Sequence, residues 1–203
     1  MGHDATLLLH RFTVKPGHLD AYLDVWPDEV GLLRGHGYTV HRAFVETDAE
    51  PKLTWLYSHP DADVAAEAVR LDPASAELAA RRAPHVFRNV TIRPVRPEIM
   101  TEPADLSQTA IMRRYAITGS WSEFLEVWRR IVVVRERHGF GCLFAVADEP
   151  HDMFTWAFTF DGDWADFPAA QRPYYRDPER VTLRGVFDYM ADYSITPAHQ
   201  FIN

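Results

Sequence analysis

Arg113-Arg-Tyr-Ala-Ile-Thr-Gly-Ser-Trp-Ser-Glu-Phe-Leu-Glu-Val-Trp128, completed by Arg137-His-Gly-Phe-Gly141, decides the fold of this chain because its landmarks occur twice. The earlier copy begins at His10. Trp26 and Trp128 lie 102 residues apart, as do His36 and His138, while Trp55 precedes Trp156 by 101 and Asp72 precedes Asp177 by 105. A drift this small falls where turns absorb it, so the chain reads as a tandem repeat. The first copy is expected over 1–93, a proline-rich linker over 94–105 and the second copy over 106–203.

In the second copy, Thr109–Ile117 reads as a strand. Phe124, Val127, Trp128 and Ile131 form the apolar stripe of a helix from Trp121 to Arg137. Ser120 with Glu123 makes a capping box before it, and His138-Gly139 ends it. Strands follow over Phe140–Ala147 and Met153–Phe160, then two short helical pieces around Asp177-Pro178, and Phe187–Ile195 leads into a last strand. The first copy repeats the order: a strand over Ala5–Val14, a helix up to His36-Gly37, and strands over Tyr38–Glu46 and Leu53–Ser58. Helices over Val64–Arg70 and Ala74–Arg82 meet at Asp72-Pro73, an N-cap and first-turn pair, and Phe87–Ile92 reads as the fourth strand. Pro27 predicts a break near Trp26, because an interior proline removes a hydrogen bond and clashes with the preceding turn. Pro94, Pro97 and Pro103 make the intervening stretch read as a linker.

Each copy is thus a β-α-β-β-α-β ferredoxin-like unit. One such sheet, covered by helices on one side, leaves its other face bare. The expected class is therefore α+β: two tandem ferredoxin-like repeats whose antiparallel sheets face each other as an intrachain pseudo-dimeric α/β barrel. The pseudo-dimer is complete in one chain, and its outer strand edges leave room for a further homo-oligomer.

Arg113-x-Tyr115, Gly119, Trp128, Arg135, His138-Gly139, Trp156-x-Phe158 and Asp177-Pro178 are echoed by His10-x-Phe12, Gly17, Trp26, His36-Gly37, Trp55-x-Tyr57 and Asp72-Pro73. With these residues the chain resembles the dimeric α/β-barrel superfamily and, within it, the NIPSNAP-like group. Three places depart from that pattern: His10 stands where it has arginine, Pro27 and Gly31 interrupt the first helix, and Phe158 replaces a tyrosine. The resemblance implies the fold. Function follows only by analogy, since the superfamily includes cofactor-free monooxygenases, polyketide cyclases, lyases and haem enzymes, whereas NIPSNAP-like proteins are largely of unassigned activity.

Composition narrows the partners. A formal net charge of −8 with dispersed basic residues argues against nucleic acid and anionic membranes. No apolar run approaches the ~20 residues that span a bilayer. Leu7-Leu8-Leu9 is cut off by His10-Arg11, so no secretory leader is read there. The lone Cys142 cannot form an intrachain disulfide, and the expected location is a reducing, cytoplasmic one. The ten histidines show no metal-ligand spacing, and no glycine-flanked serine elbow or phosphate loop is present, so neither metal nor cofactor is expected. A hydrophobic small molecule is the expected partner.

If the sheets face each other, the central strands offer His10, Phe12, Trp55 and Tyr57 from one copy and Arg113, Tyr115, Trp156 and Phe158 from the other to a common aromatic cavity. A one-residue slip would invert them all. His10 and Arg113 occupy equivalent places and differ in chemistry, which makes His10 the candidate general base and Arg113 the candidate anion clamp, with Tyr115 or Tyr57 as a further donor. Phe12, Trp55, Tyr57, Trp156, Phe158 and His41 are the candidate substrate contacts. The structural alternative is a buried carboxylate pairing Arg113 and a satisfied interior His10. His36 and His138 sit at helix ends, where a histidine suits the dipole, and Cys142 reads as a small buried hydrophobe. The expected function is metal-free acid/base chemistry on an aromatic or polyketide-like substrate, of the kind natural-product pathways use: cyclisation, isomerisation or cofactor-independent oxygenation. The alternatives are a haem-dependent enzyme with His10, His41 or another histidine as axial ligand, and a non-catalytic NIPSNAP-like binding protein.

Overall fold

The computed structural model describes residues 5–47, 50–87, 90–101 and 108–201. Two compact units divide the chain. One reaches to Val95 and takes back the last strand's end from Gln200, and the other runs Arg96–His199.

The first unit holds β1 (Thr6–Thr13), α1 (Leu19–Leu23), α2 (Trp26–Gly35), β2 (Thr39–Glu46), β3 (Lys52–His59), α3 (Ala62–Leu71), α4 (Pro73–Arg82) and the start of β4 (Thr91–Met100). The helix break falls where Pro27 requires it. By starting α2 at Trp26 the chain puts Pro27 in a first turn, where its missing N–H costs nothing. Asp72 caps α4 by accepting from the Ala74 N–H. Gly37, past the end of α2, has φ +83°, a conformation other side chains rarely adopt.

The second unit contains the rest of β4, β5 (Thr109–Ile117), α5 (Trp121–Arg137), β6 (Cys142–Asp148), β7 (Met153–Phe160), the short helices α6 (Phe167–Ala170), α7 (Arg172–Arg176) and α8 (Pro178–Thr182), and β8 (Met190–Phe201). Ser120 caps α5 through the Glu123 N–H, as its sequence predicts. Each unit keeps its first and third strands central, and the registers match: His10 lies opposite Trp55, and Arg113 opposite Trp156. In hydrogen-bonded order the strands run β1-β3-β2-β8-β5-β7-β6-β4 and close, the antiparallel barrel expected of a tandem ferredoxin-like pair.

One expected element is displaced. Instead of ending at Ile92 before a linker, the fourth strand runs Thr91–Met100 through Pro94 and Pro97, pairing with β1 up to Val95 and with β6 from Arg96. Proline is tolerated where the ladder does not need its N–H, and the register shifts beside Pro97. Of the presumed linker, 102–105 lies outside the described residues.

Each unit's core is a helix-on-sheet layer. Phe12, Tyr22, Trp26, Val30, Trp55 and Tyr57 pack together in the first, and Tyr115, Phe124, Trp128, Phe154, Trp156 and Phe158 in the second. This corrects the expected facing: the His10/Trp55 and Arg113/Trp156 faces point at the helices of their own units. The helix-side apolar stripe needed aromatic partners, and these strand faces supplied them. On the other face of the first sheet, Glu46 accepts from Arg11 Nε and Nη2 at 3.1 Å each and from the Thr54 hydroxyl at 3.1 Å.

A His–Asp pair recurs in both units. His36 Nε2 lies 2.8 Å from Asp72 Oδ2, and His138 Nε2 lies 3.0 Å from Asp177 Oδ2. Each histidine ends one helix and holds the carboxylate that caps another. These bonds, helped by the capped backbone N–H groups, hold both Asp pKa values below the usual range. Because the folded pKa is depressed, the stabilisation is complete above about pH 4 and is lost as pH falls through the folded value. Thermal melts from pH 5 to pH 2.5 should steepen in the wild type and flatten in Asp72→Asn/Asp177→Asn; identical acid slopes would show that the pairs contribute nothing.

Candidate functional site

A pocket of about 220 Å³ lies between sheet and helices in the first unit. Its floor is the strand pair carrying His10, Trp55 and Tyr57. The walls are the α2 face bearing Glu29, Leu32 and Leu33 and the α4 face bearing Ser75, Leu78, Ala79 and Arg82. The latter four follow helical spacing, which is why one helix presents them all. Ile92, on β4, is half exposed at the pocket's edge.

His10 is 3% exposed, and neither of its ring nitrogens has a hydrogen-bond partner among the described residues. Its ring stacks on Trp55 at 4.9 Å and 28°, with Phe12 at 5.2 Å and Tyr57 at 6.1 Å. Burial, reinforced by the Arg82 charge, lowers its pKa well below the ordinary histidine value. At neutral pH the imidazole is therefore uncharged, with one nitrogen free to accept and the other to donate. The Trp55 indole N–H is also buried without a partner. Burial raises the Tyr57 pKa, so its phenol stays protonated. Arg82 bonds Glu29 at 3.3 Å, and Glu29 accepts from the Tyr22 hydroxyl at 2.6 Å. The polar groups facing the pocket thus include a cation paired with the Glu29 carboxylate, a neutral base and a phenol donor, set in an apolar lining.

Sequence reasoning placed His10, Phe12, Trp55 and Tyr57 together, and the structure does so. It does not bring Arg113 to His10: Arg113 belongs to the second unit's own core, beside Tyr115 and Trp156 at 5.6 and 6.0 Å from its guanidinium to the ring centres. Among the described residues no carboxylate pairs with it, where the structural alternative supposed one. Trp156 and Phe158 pack in that same core, and His41 bonds Ser58 at 2.8 Å away from the pocket. Arg82 and Glu29 went unnoticed. The signal for Arg82 was its place on one α4 stripe with Ser75, Leu78 and Ala79. Cys142 is buried, as expected, and among the described residues no three His, Cys, Asp or Glu side chains are grouped to hold a metal. No described helix is long and apolar enough to cross a membrane.

The corresponding place in the second unit is nearly filled, at about 10 Å³, by Arg113, Arg135, Arg180, Tyr174 and Tyr175 among apolar neighbours. Two equivalent locations have therefore diverged, one open and one closed.

No family model matches the chain, and no curated protein matches it. Solved structures do. A Fusobacterium nucleatum protein provisionally named a monooxygenase matches over 100% of this chain and 94% of its own, with 16% identity and a TM-score of 0.67. An anthrone oxidase-like protein matches over 98% and 92%, with 8% identity and a TM-score of 0.65. The matches also include a NIPSNAP domain protein from Burkholderia xenovorans, covering 47% of this chain and 93% of that one at 14% identity and a TM-score of 0.38. The two full-length matches show the fold: the chain has the tandem ferredoxin-like architecture of these monooxygenase-like proteins.

Proposed function

We propose that the first unit's pocket is the active site of a small-molecule enzyme that removes a proton from a one- or two-ring aromatic or polyketide-like substrate without metal assistance. The observation that carries this reading is His10, a buried neutral imidazole with two unpartnered nitrogens facing an open apolar pocket. A buried polar group without a partner is costly, and a ligand hydroxyl or carbonyl would satisfy it. His10 would accept a phenolic proton or one next to a carbonyl, the Arg82 cation would stabilise the anion, and the Tyr57 phenol would orient the oxygen. That anion can cyclise, isomerise or react with dioxygen. The names borne by the full-length matches favour the last of these.

Size sharpens the substrate class. A cavity of roughly 150 Å³ admits benzene, so about 220 Å³ suits one or two fused rings. Haem fits poorly by the same measure: the pocket is smaller than the ~300–1,000 Å³ of ordinary ligand sites, and the His10 ring lies flat against Trp55. His41, also named as an axial ligand, does not line this pocket, and among the described residues His10 is the one histidine that does. A purely non-catalytic protein with a filled cavity describes the second unit better than the first.

Ala79 is exposed on α4 beside the pocket, so Ala79→Trp blocks the opening without disturbing the core. With a panel of one- and two-ring phenols, assayed by product mass and oxygen uptake, this variant should lose at least about 10-fold in kcat/KM with an unchanged melting temperature. Full activity in Ala79→Trp would place turnover elsewhere.

A further inference from the structure

We infer that the second unit holds a small monovalent anion, halide-sized, between the guanidinium groups of Arg113 and Arg135. The two side chains are 5% and 2% exposed, and both line the closed pocket of about 10 Å³. Arg113 Nε, Arg135 Nε and Arg135 Nη1 are buried with no hydrogen-bond partner among the described residues. Arg180, also buried, faces the same space and gives its Nε–H to the Tyr174 hydroxyl at 2.7 Å. Among the described residues none of the three arginines has a carboxylate within ion-pair distance, whereas exposed arginines such as Arg129 and Arg137 do.

Aromatic faces compensate part of this charge. The Arg135 guanidinium lies 4.4 Å from the Phe158 ring centre and 4.2 Å from that of Tyr174. Ring faces cannot accept in-plane N–H bonds, so the unpartnered nitrogens remain. Burial and then the neighbouring Arg113 work against the Arg135 charge and outweigh the nearby tyrosines. Burial alone would push the Tyr175 phenol up, but the Arg113 and Arg135 charges, with a hydrogen bond from Arg113, outweigh it and bring its pKa below the ordinary value. A cavity of about 10 Å³ holds a water or a single small ion, and only the ion answers the charge as well as the donors.

The cluster belongs to the second repeat alone. By the repeat offsets, His10, Leu33 and Ser75 stand where the second copy has Arg113, Arg135 and Arg180. Arg135→Leu therefore installs the residue that the first repeat already packs at this place. In melts of the full-length protein at constant ionic strength, replacing sodium gluconate by sodium bromide should raise the wild-type melting temperature saturably by roughly 3–5 °C. The rise should vanish in Arg135→Leu and in Arg113→His. Crystals soaked in bromide should show an anomalous peak within about 3.5 Å of Arg113 and Arg135 nitrogens, which decides the matter even if the variants do not fold. Equal melting in both salts, a shift that survives both substitutions, or bromide bound only elsewhere overturns the site and leaves the Tyr175 phenolate as the counter-charge.

Discussion

His10→Gln should lower turnover by about 100-fold or more while leaving the melting temperature within about 2 °C of wild type. The size follows from removing a general base, which contributes about 10²–10⁴-fold where a proton moves in the transition state. The small stability change follows from the surroundings: neither His10 nitrogen is bonded to protein, so glutamine breaks no hydrogen bond, and its similar bulk keeps Trp55 and Phe12 in place. Alanine would be a poorer test, because a cavity beside Trp55 would confuse lost packing with lost chemistry. A second readout separates a reacting histidine from a packing one. Since burial and then Arg82 depress the His10 pKa, kcat/KM should run flat through pH 6.5 and fall only well below it, with that acid limb absent in His10→Gln. Stability carries the same signature. Between the unfolded value of ~6.5 and the lower folded value the unfolded chain binds the extra proton, so stability falls as pH drops across that window, by up to about 1.4 kcal/mol per pH unit. Wild-type turnover in His10→Gln on every substrate of the phenol panel would end the active-site assignment.

The repeat carried most of the fold because it is written in residues that local physics makes obligatory. Gly37 and Gly139 are needed for positive φ, Asp72 and Asp177 for caps, and Trp26 and Trp128 for filling the layer between helix and sheet. Strand facing was not legible, because period-two patterning states which residues share a face and not what that face meets. Here aromatic faces met aromatic helix stripes, and His10 went with them. That single ambiguity separated His10 from Arg113, although their equivalence under the repeat was read correctly. Arg82 escaped for a related reason: a helix-end arginine is usually solvated, and only the fold shows Glu29 drawing it inward. The proline-rich stretch misled because proline in a ladder is tolerated at particular register positions, which composition does not reveal.

Trp128→Ala should cost about 3–5 kcal/mol and lower the melting temperature by roughly 6–20 °C, the largest stability loss expected at any of these shared positions. The side chain is 1% exposed, with ring centres 4.7 Å from Phe154 and 5.5 Å from Trp156. Truncation removes an entire indole from a layer held by α5 and β7, and neither element can close over the gap without losing its register. Trp128→Phe should cost no more than about 2 kcal/mol. The indole N–H is buried and makes no hydrogen bond, so phenylalanine removes an unsatisfied donor along with part of the packing. Trp26 repeats the arrangement, 1% exposed and 5.8 Å from Trp55, and its alanine and phenylalanine variants should fall in the same order. Denaturant melts of the four variants, read with turnover, distinguish scaffold from site. At both tryptophans phenylalanine should restore stability, whereas at His10 no apolar residue of similar bulk should restore turnover. If Trp128→Phe proved as damaging as Trp128→Ala, the indole nitrogen would have a partner, and the repeat's shared tryptophans would carry more than packing.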